Sequence, residues 1–141
     1  MANDSGDFAR SMSIATSGLR AQAGRMRVIA ENIANSDSTA STAGGDPYRR
    51  KVPTFTSELD RTLDARMVAL GRVRPDTSAF RVKYEPSNPA ADATGNVKYP
   101  NVNSLVEQTD MRDAQRSYEA NLNIISATRR MIQRTLDILK A

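Results

Sequence analysis

The feature that most constrains this chain is an apolar spacing of alternating four- and three-residue steps between Phe8 and Asn35. The residues on this spacing are Phe8, Met12, Ala15, Leu19, Met26, Ile29 and Ile33, and a second row consists of Ile14, Ala21 and Val28. Such spacing places a seam along one face of a helix that packs against another helix. Because the two rows span roughly 160° of the helix surface, the sequence predicts a long helix with several neighbours.

This helix is predicted to end at Asn35, because an Asn at such a boundary can adopt the left-handed conformation that closes a helix. Inside it, Gly18 and Gly24 each destabilise the helix by roughly 1 kcal/mol relative to Ala, and Gln22 interrupts the seam. We therefore expect that the helix does not persist in isolation and forms where partners cover it.

The same spacing returns between Ser104 and Leu139. Its seam consists of Met111, Tyr118, Leu122, Ile125, Ile132, Leu136 and Leu139, and its second row of Ile124, Met131 and Ile138. Aligning the two registers places Asn32 and Asn121 at equivalent positions inside the apolar arc of each helix. They are either partly exposed surface amides or buried amides that must find partners and so set the helix register. The second interpretation predicts that Asn→Ala harms assembly more than helix content.

The sequence thus predicts a mainly α fold with a small β insert. We expect a disordered lead over 1–7, a terminal helical domain over 8–36 and 104–141 whose helices pair as a coiled coil, and an outer insert over 37–103.

Within the insert, Phe80–Tyr84 alternates apolar and basic residues and predicts a strand that pairs with Asn96–Tyr99. Tyr48–Phe55 is strand-like but interrupted by Pro53, and 67–73 is a further candidate strand. Residues 57–65 are predicted to form a short helix or a loop.

The composition argues against catalysis. The chain has no Cys and no His, which excludes disulfides and thiolate metal sites and removes the commonest general base. The acidic residues Glu58, Asp60 and Asp64 are better explained as solvated charges than as catalytic pairs. We therefore expect no catalytic residue, no metal and no cofactor.

The net charge of +4 arises from 20 basic and 16 acidic residues that are interspersed along the chain. An alternative function is a basic helical module that binds nucleic acid or an acidic surface through Arg49-Arg50-Lys51 and Arg129-Arg130. Nucleic-acid sites usually combine clustered charge with aromatic residues for stacking, and only Tyr48 lies beside a basic cluster here. We expect no nucleic-acid partner, and the lack of a long apolar segment predicts neither membrane insertion nor a cleaved signal peptide.

Two stretches of the first helix, 17–22 (SGLRAQ) and 30–35 (AENIAN), resemble the N-terminal signature of bacterial flagellar rod and hook proteins. The stretches PYRR (47–50), FRVKYEPSNP (80–89), GNVKYPNVN (95–103) and RSYEAN (116–121) resemble the short proximal-rod members of that family. Glu31 departs from the pattern, because many relatives have Asn there. The segment Gly44-Gly45-Asp46-Pro47-Tyr48 also stands in place of the Thr-Pro-Gly-Tyr form that is common in this family.

The resemblance implies a non-enzymatic structural subunit of the flagellar basal-body rod, the drive shaft that crosses the periplasm. Such proteins are exported unfolded through the flagellar type III apparatus, without a cleaved signal peptide. They assemble helically with copies of themselves and with other proximal and distal rod proteins, and their terminal helices pair around the export channel. We expect the helix–helix assembly interface to consist of Met12, Leu19, Met26, Ile29, Asn32, Ile33, Asn35, Tyr118, Asn121, Leu122, Ile125, Ile132, Leu136 and Leu139.

Overall fold

The computed structural model describes residues 2–140, in which two long helices flank a region of short strands. Helix α1 spans Ala2–Ala34 and helix α2 spans Ser104–Lys140. Between them lie β1 (Lys51–Val52), β2 (Phe55–Asp60), β3 (Ala65–Leu70), β4 (Arg74–Pro75), β5 (Arg81–Tyr84) and β6 (Asn96–Tyr99). The strands form antiparallel pairs β1–β4, β2–β3 and β5–β6. The predicted combination of two long helices and a small β region is confirmed.

Helix α1 begins earlier than the spacing predicted. The sequence predicts a disordered lead before Phe8, whereas the helical backbone already begins at Ala2. Extending an existing helix requires no new nucleus, because each added residue gains one hydrogen bond. Met1, the first residue of the predicted lead, lies outside the described residues.

The end of α1 is closed differently from the prediction. Among the described residues other than glycine, only Asp64 has a positive φ, so the left-handed conformation predicted for Asn35 is wrong. The backbone N–H and the side-chain Nδ2 of Asn35 both donate to the carbonyl of Glu31, at 3.1 and 2.9 Å. These bonds occupy a terminal carbonyl that would otherwise lack a partner, so no left-handed residue is needed.

Helix α2 begins at its predicted position and is capped by Asn103. The Asn103 Oδ1 accepts hydrogen bonds from the backbone N–H groups of Leu105 (3.1 Å) and Val106 (3.4 Å). The Asn103 carbonyl accepts from the N–H of Glu107 at 3.0 Å. An Asn in this position occupies N–H groups that the first helical turn leaves free.

The hairpin β5–β6 forms as predicted, with Arg81 opposite Tyr99 and Tyr84 opposite Asn96. The helix or loop predicted over 57–65 is wrong, because most of that segment belongs to the β2–β3 hairpin. Its turn depends on Asp60, whose Oδ1 accepts from the N–H groups of Thr62 and Leu63, and on Asp64 with φ 45°. Asp is well suited to both roles because its side chain bonds nearby backbone groups and tolerates the left-handed region.

Contacts divide the chain into two compact units, each of which includes part of both helices. The first combines the described parts of Met1–Met26 and Asp113–Ala141 with Thr54–Arg72. The second combines Arg27–Pro53 with Val73–Arg112. The predicted separation into an inner helical domain and an outer insert concerns the assembled state and stays a prediction.

The second unit has a core of large side chains, in which Ile29, Val97, Pro100 and Val102 are fully buried. Because each large apolar side chain contributes roughly 1.5–3 kcal/mol when it is removed from water, burial stabilises this unit substantially.

The buried residues of the first unit are small. They are Ala15, Gly18, Ala21, Ala65, Ala114 and Thr128. These small residues allow close packing: a Cβ added at Gly18 would lie 2.7 Å from Nδ2 of Asn121, and one at Gly24 would lie 2.8 Å from Cδ2 of Leu70. Because small side chains bury little apolar area, hydrophobic burial stabilises the first unit less than the second. None of the described helices is both long and apolar enough to cross a membrane.

Replacing Val97 with Ala tests where the hydrophobic core lies. Val97 on β6 is fully buried, so we expect Val97→Ala to lower the free energy of unfolding by about 1–3 kcal/mol. The control is Val82→Ala on the paired strand β5, where the side chain is 59% exposed. We expect that change to alter stability by less than about 0.5 kcal/mol. Urea unfolding measures both, and equal losses would contradict this assignment of the core.

Candidate assembly surfaces and the buried polar cluster

The structure places the predicted interface residues in three environments. Ile29 and Asn32 are buried; Met12, Leu19, Met26, Ile33, Asn35, Tyr118, Asn121, Ile125 and Ile132 are half-buried; Leu122, Leu136 and Leu139 are exposed. Ile29 and Asn32 therefore have their partners within the chain. The three exposed leucines all lie on α2, so the part of the predicted interface that is free to meet a neighbour lies mainly on that helix.

The second apolar row differs between the helices, although the two rows match in sequence. On α1, Ala21 and Val28 are buried and Ile14 is 43% exposed. On α2, Ile124, Met131 and Ile138 are 48%, 47% and 77% exposed. Exposed large apolar residues in one contiguous row are the usual mark of an interaction surface. We define Ile124, Met131 and Ile138 as the α2 row.

The amide of Asn32 is fully enclosed, with 0% exposure. Its Nδ2 donates to the Lys51 carbonyl at 2.8 Å and to Glu107 Oε2 at 3.0 Å. Its Oδ1 accepts from the Tyr48 hydroxyl at 2.8 Å and from the Lys51 N–H at 2.9 Å. An amide has two donor hydrogens and two acceptor positions, so all four are occupied. The buried interpretation is confirmed for Asn32.

Glu107, in the first turn of α2, is fully buried beside Asn32. Its Oε1 accepts from Nε of Arg50 at 2.6 Å, and the same guanidinium lies 3.5 Å from Asp76 and 3.8 Å from Asp110. Burial disfavours the charged form of Arg50, but the hydrogen bonds and charges of Glu107 and Asp76 together outweigh it, so the pKa of Arg50 is raised. The buried carboxylate is thus paired and hydrogen-bonded, as a charge removed from water requires.

Asn101 and Lys51 attach further segments to this buried polar cluster, which we define as Asn32, Tyr48, Arg50, Lys51, Asp76, Asn101 and Glu107. Asn101 Oδ1 accepts from the Arg50 N–H at 2.8 Å, and its Nδ2 donates to the Asp76 carbonyl at 3.1 Å. The Lys51 ammonium pairs with the carboxylate of Glu31. The cluster therefore joins the end of α1, the segment around β1 and the start of α2.

Asn121 has a different environment from Asn32, despite its equivalent position in the predicted register. It is half-buried, and its Nδ2 donates to the carbonyl of Ser117, four residues earlier in its own helix, at 2.9 Å. It also lies against Gly18 of α1. Asn121 therefore packs at a close approach between helices, but its amide does not join segments as Asn32 does.

Sequence reasoning missed Glu107, Arg50 and Asn101. A glutamate in the first helical turn normally stabilises the helix N-terminus from the surface, so its position gave no reason to expect burial. The sequence predicted that the basic run Arg49-Arg50-Lys51 is a charge cluster on the surface, whereas its side chains interact with other residues of the same chain. Arg49 lies over the Phe80 ring at 4.1 Å from the centroid and donates to the carbonyls of Asp76 and Ser78.

The chemistry of these surfaces is that of packing and hydrogen bonding. Within residues 6–140, whose side chains the structure describes, no group of three or more Asp and Glu side chains is arranged to hold a metal ion. The carboxylates of the buried polar cluster face cations or amides instead.

Comparison with known proteins identifies similar chains over nearly the full length. Two family models match, one described as flagella basal body rod protein over residues 12–40 and one as flagellar basal body rod FlgEFG protein C-terminal over residues 93–138. A flagellar basal-body rod protein FlgC from Agrobacterium fabrum (strain C58) is 52% identical over 128 residues, covering 91% of this chain and 92% of the relative. The protein of the same name from Bacillus subtilis (strain 168) is 36% identical, covering 92% and 97%. That from Aquifex aeolicus (strain VF5) is also 36% identical, covering 95% and 98%.

Replacing Asn32 with Leu tests the structural role of the buried polar cluster. The variant removes four hydrogen bonds and leaves Glu107, Tyr48 and the Lys51 backbone without these partners, so we expect a loss of at least about 3 kcal/mol in unfolding free energy. The control Asn123→Leu changes an exposed amide on α2 and should alter stability by less than about 0.5 kcal/mol. Urea unfolding of the purified chain compares them, and a mild effect of Asn32→Leu would refute the role.

The hydroxyl of Tyr48 supplies a pH-dependent test. Burial, and then the charges of Glu31 and Glu107, raise the pKa of Tyr48 to about 12, against about 10 in an unfolded chain. Because the folded pKa is the higher, the stability linked to this group is fully present below pH about 10 and is lost as pH rises towards 12.

Urea unfolding between pH 9 and 11.5 should therefore show a fall in stability that is smaller in Tyr48→Phe. The variant Tyr84→Phe, which alters a tyrosine that is 72% exposed, is the control and should keep the fall. If Tyr48→Phe shows the same pH dependence as the unmodified chain, the assigned role of this hydroxyl is wrong.

Proposed function

The chain belongs to the family of the flagellar basal-body rod protein FlgC, which makes it a structural subunit of the flagellar rod, and we propose that the α2 row is a principal contact through which it assembles. The observation that carries this proposal is the exposure of Ile124, Met131 and Ile138 on one face of α2. Contact with a partner removes such apolar surface from water, which stabilises the contact by roughly 25 cal/mol per Å² of buried apolar area. A rod supplies such partners on every side.

The remaining residues of the predicted interface extend this surface. Leu122, Leu136 and Leu139 are exposed on α2, and Tyr118, Ile125 and Ile132 are half-buried along the same helix. On α1, the half-buried Met12, Leu19 and Met26 supply apolar surface in turn. These residues, rather than the fully buried Ile29 and Asn32, form the proposed contacts with neighbouring subunits.

In the assembled rod, α1 and α2 pair as a coiled coil in an inner layer around the export channel. Two contacts support this pairing: the close approach of Gly18 to Asn121 in the first unit and the hydrogen bond of Asn32 to Glu107 in the second. Residues 37–103 then face outward. The small buried residues of the first unit fit the same arrangement, because a unit with little core of its own gains most from neighbours.

Partners of the chain are copies of itself and other rod proteins, arranged helically, and its location is the rod as it crosses the periplasm. It reaches that location unfolded, through the flagellar type III export apparatus, and without a cleaved signal peptide. The lack of cysteine suits this route, since no disulfide forms that would hinder passage or refolding. No catalytic role is proposed.

The alternative of a module that binds nucleic acid or an acidic surface is not favoured. Two basic runs suggested it. Arg129-Arg130 is exposed on α2 but is only two residues long. The longer run is engaged inside the chain: Arg49 stacks on Phe80, Arg50 pairs with Glu107 and Lys51 pairs with Glu31. Phosphate binding requires cations that are free to replace counterions, and these three already have carboxylate, carbonyl or aromatic partners.

An adjacent pair of α2 variants tests the proposed contact. Ile124→Asp places a charge in the α2 row, whereas Asn123→Asp introduces the same charge on the neighbouring exposed residue, about 100° away around the helix. In cells that lack their own copy of the protein, we expect Ile124→Asp to abolish motility and incorporation into isolated basal bodies. Asn123→Asp should support both.

Because Ile124 is about half-exposed to water in the single chain, Ile124→Asp should lower the stability of the purified protein by no more than about 1.5 kcal/mol, and Asn123→Asp by less than about 0.5 kcal/mol. Normal incorporation of the Ile124→Asp variant would show that the α2 row is not an assembly contact. Loss of stability in both variants would instead indicate that α2 is needed for the fold of the single chain.

A further inference from the structure

A groove of about 780 Å³ lies in the first unit between helix α1 and the β2–β3 hairpin. All of its described lining residues come from these two elements, and its apolar lining includes Met12, Ala21, Leu63, Met67, Val68 and Leu70. The charged side chains that line it are one cation, Arg20, and two carboxylates, Glu58 and Asp60, so the lining is net negative. A concave apolar surface with a few charged groups is the usual form of a site that receives an apolar partner.

Specific contacts between its two walls hold the groove in shape. The backbone N–H of Val68 on β3 donates to the Ser17 hydroxyl of α1 at 3.2 Å. Three residues beyond Ala21 on α1, Gly24 lets Leu70 of the hairpin approach so closely that a Cβ at Gly24 would lie 2.8 Å from the leucine Cδ2. The groove is therefore formed before any partner enters it, which lowers the entropy lost on binding.

The chain carries a surface that matches this groove in length and character. The α1 residues that line the groove run from Ala9 to Ala21, about 18 Å along the helix, and the α2 row from Ile124 to Ile138 is about 21 Å long. Both surfaces are apolar; the α2 row is exposed, whereas the groove is lined mainly by half-buried side chains.

The charges beside the two surfaces are also complementary. Arg134 is three residues after Met131 and four before Ile138, so it lies beside the α2 row, and it is exposed. The exposed Glu58 lies on the hairpin wall of the groove. A pair of this kind at a surface contributes little affinity but favours one direction of docking over the other.

We propose that the groove between α1 and the β2–β3 hairpin receives the α2 row of a second copy of this chain. The proposal rests on the rod function, since assembly is what brings copies side by side. The groove and the row are different surfaces of one chain, so each copy uses its groove for one neighbour and its α2 row for another. Such a head-to-tail contact does not close as a two-fold dimer; it propagates around a ring or along a helical array.

Photo-crosslinking of the full chain in assembled basal bodies tests this contact. In one variant, a photoreactive amino acid replaces the half-buried Met67 on the hairpin wall of the groove. In a second variant it replaces Glu58, which is exposed, so that the substitution disturbs no core contact. Irradiation should yield a covalent dimer whose crosslinked peptide maps within residues 124–140 of the second copy. A reciprocal probe at Met131 should map to residues 9–21 or 58–70.

The matched control carries the probe at Ala93, which is exposed and belongs to the second unit. It should give no adduct to residues 124–140. A Met67 or Glu58 adduct to a different rod protein, or to another segment of the second copy, would overturn the proposal.

The docking contact and the rod function fail in distinguishable ways. Motile cells whose basal bodies contain the probe-bearing chain but no covalent dimer would rule out the docking contact while leaving the rod function intact. If the unmodified chain were missing from isolated basal bodies, the rod function itself would be wrong.

Discussion

The hydrogen bond between the buried amide of Asn32 and the buried carboxylate of Glu107 joins the end of α1 to the start of α2. Neither group is tolerated in a protein interior without partners, because each loses its hydrogen bonds to water. The cluster supplies those partners from several segments: the Lys51 backbone, the Tyr48 hydroxyl and the Arg50 guanidinium. The position of the segment around β1 thus depends on Asn32 and Glu107, two side chains that are far apart in the sequence.

A polar interaction of this kind selects one arrangement more strongly than apolar packing does. Apolar side chains can slide by one helical turn and still be buried, whereas Asn32 satisfies all four of its hydrogen-bonding positions only in one register. Replacing a single partner leaves the others unsatisfied, which is costly in a buried site. The second unit therefore combines a large-residue core around Ile29 and Val97 with a polar cluster that sets its register.

The first unit is built on the opposite principle. Its buried residues are mainly Gly and Ala, which permit close approach between α1, α2 and the β2–β3 hairpin but bury little apolar surface. Its large apolar side chains are half-buried or exposed, above all on α2. This division fits a structural subunit of a larger assembly such as the flagellar rod. One part of the chain folds around its own core, and the other leaves its apolar surface for neighbours.

The sequence by itself determined the two long helices, the β5–β6 hairpin and the family, because these depend on local information: residue spacing, turn residues and motif order. It did not determine the β2–β3 hairpin, where Asp60 and Asp64 form a turn that the apolar pattern did not reveal. Nor could it distinguish Asn32 from Asn121, or the row of Ala21 and Val28 from the row of Met131 and Ile138, since the spacing is equivalent. Only the tertiary structure decided which of them is buried, because burial depends on segments distant in the chain that fold back onto one helix face and leave the other free.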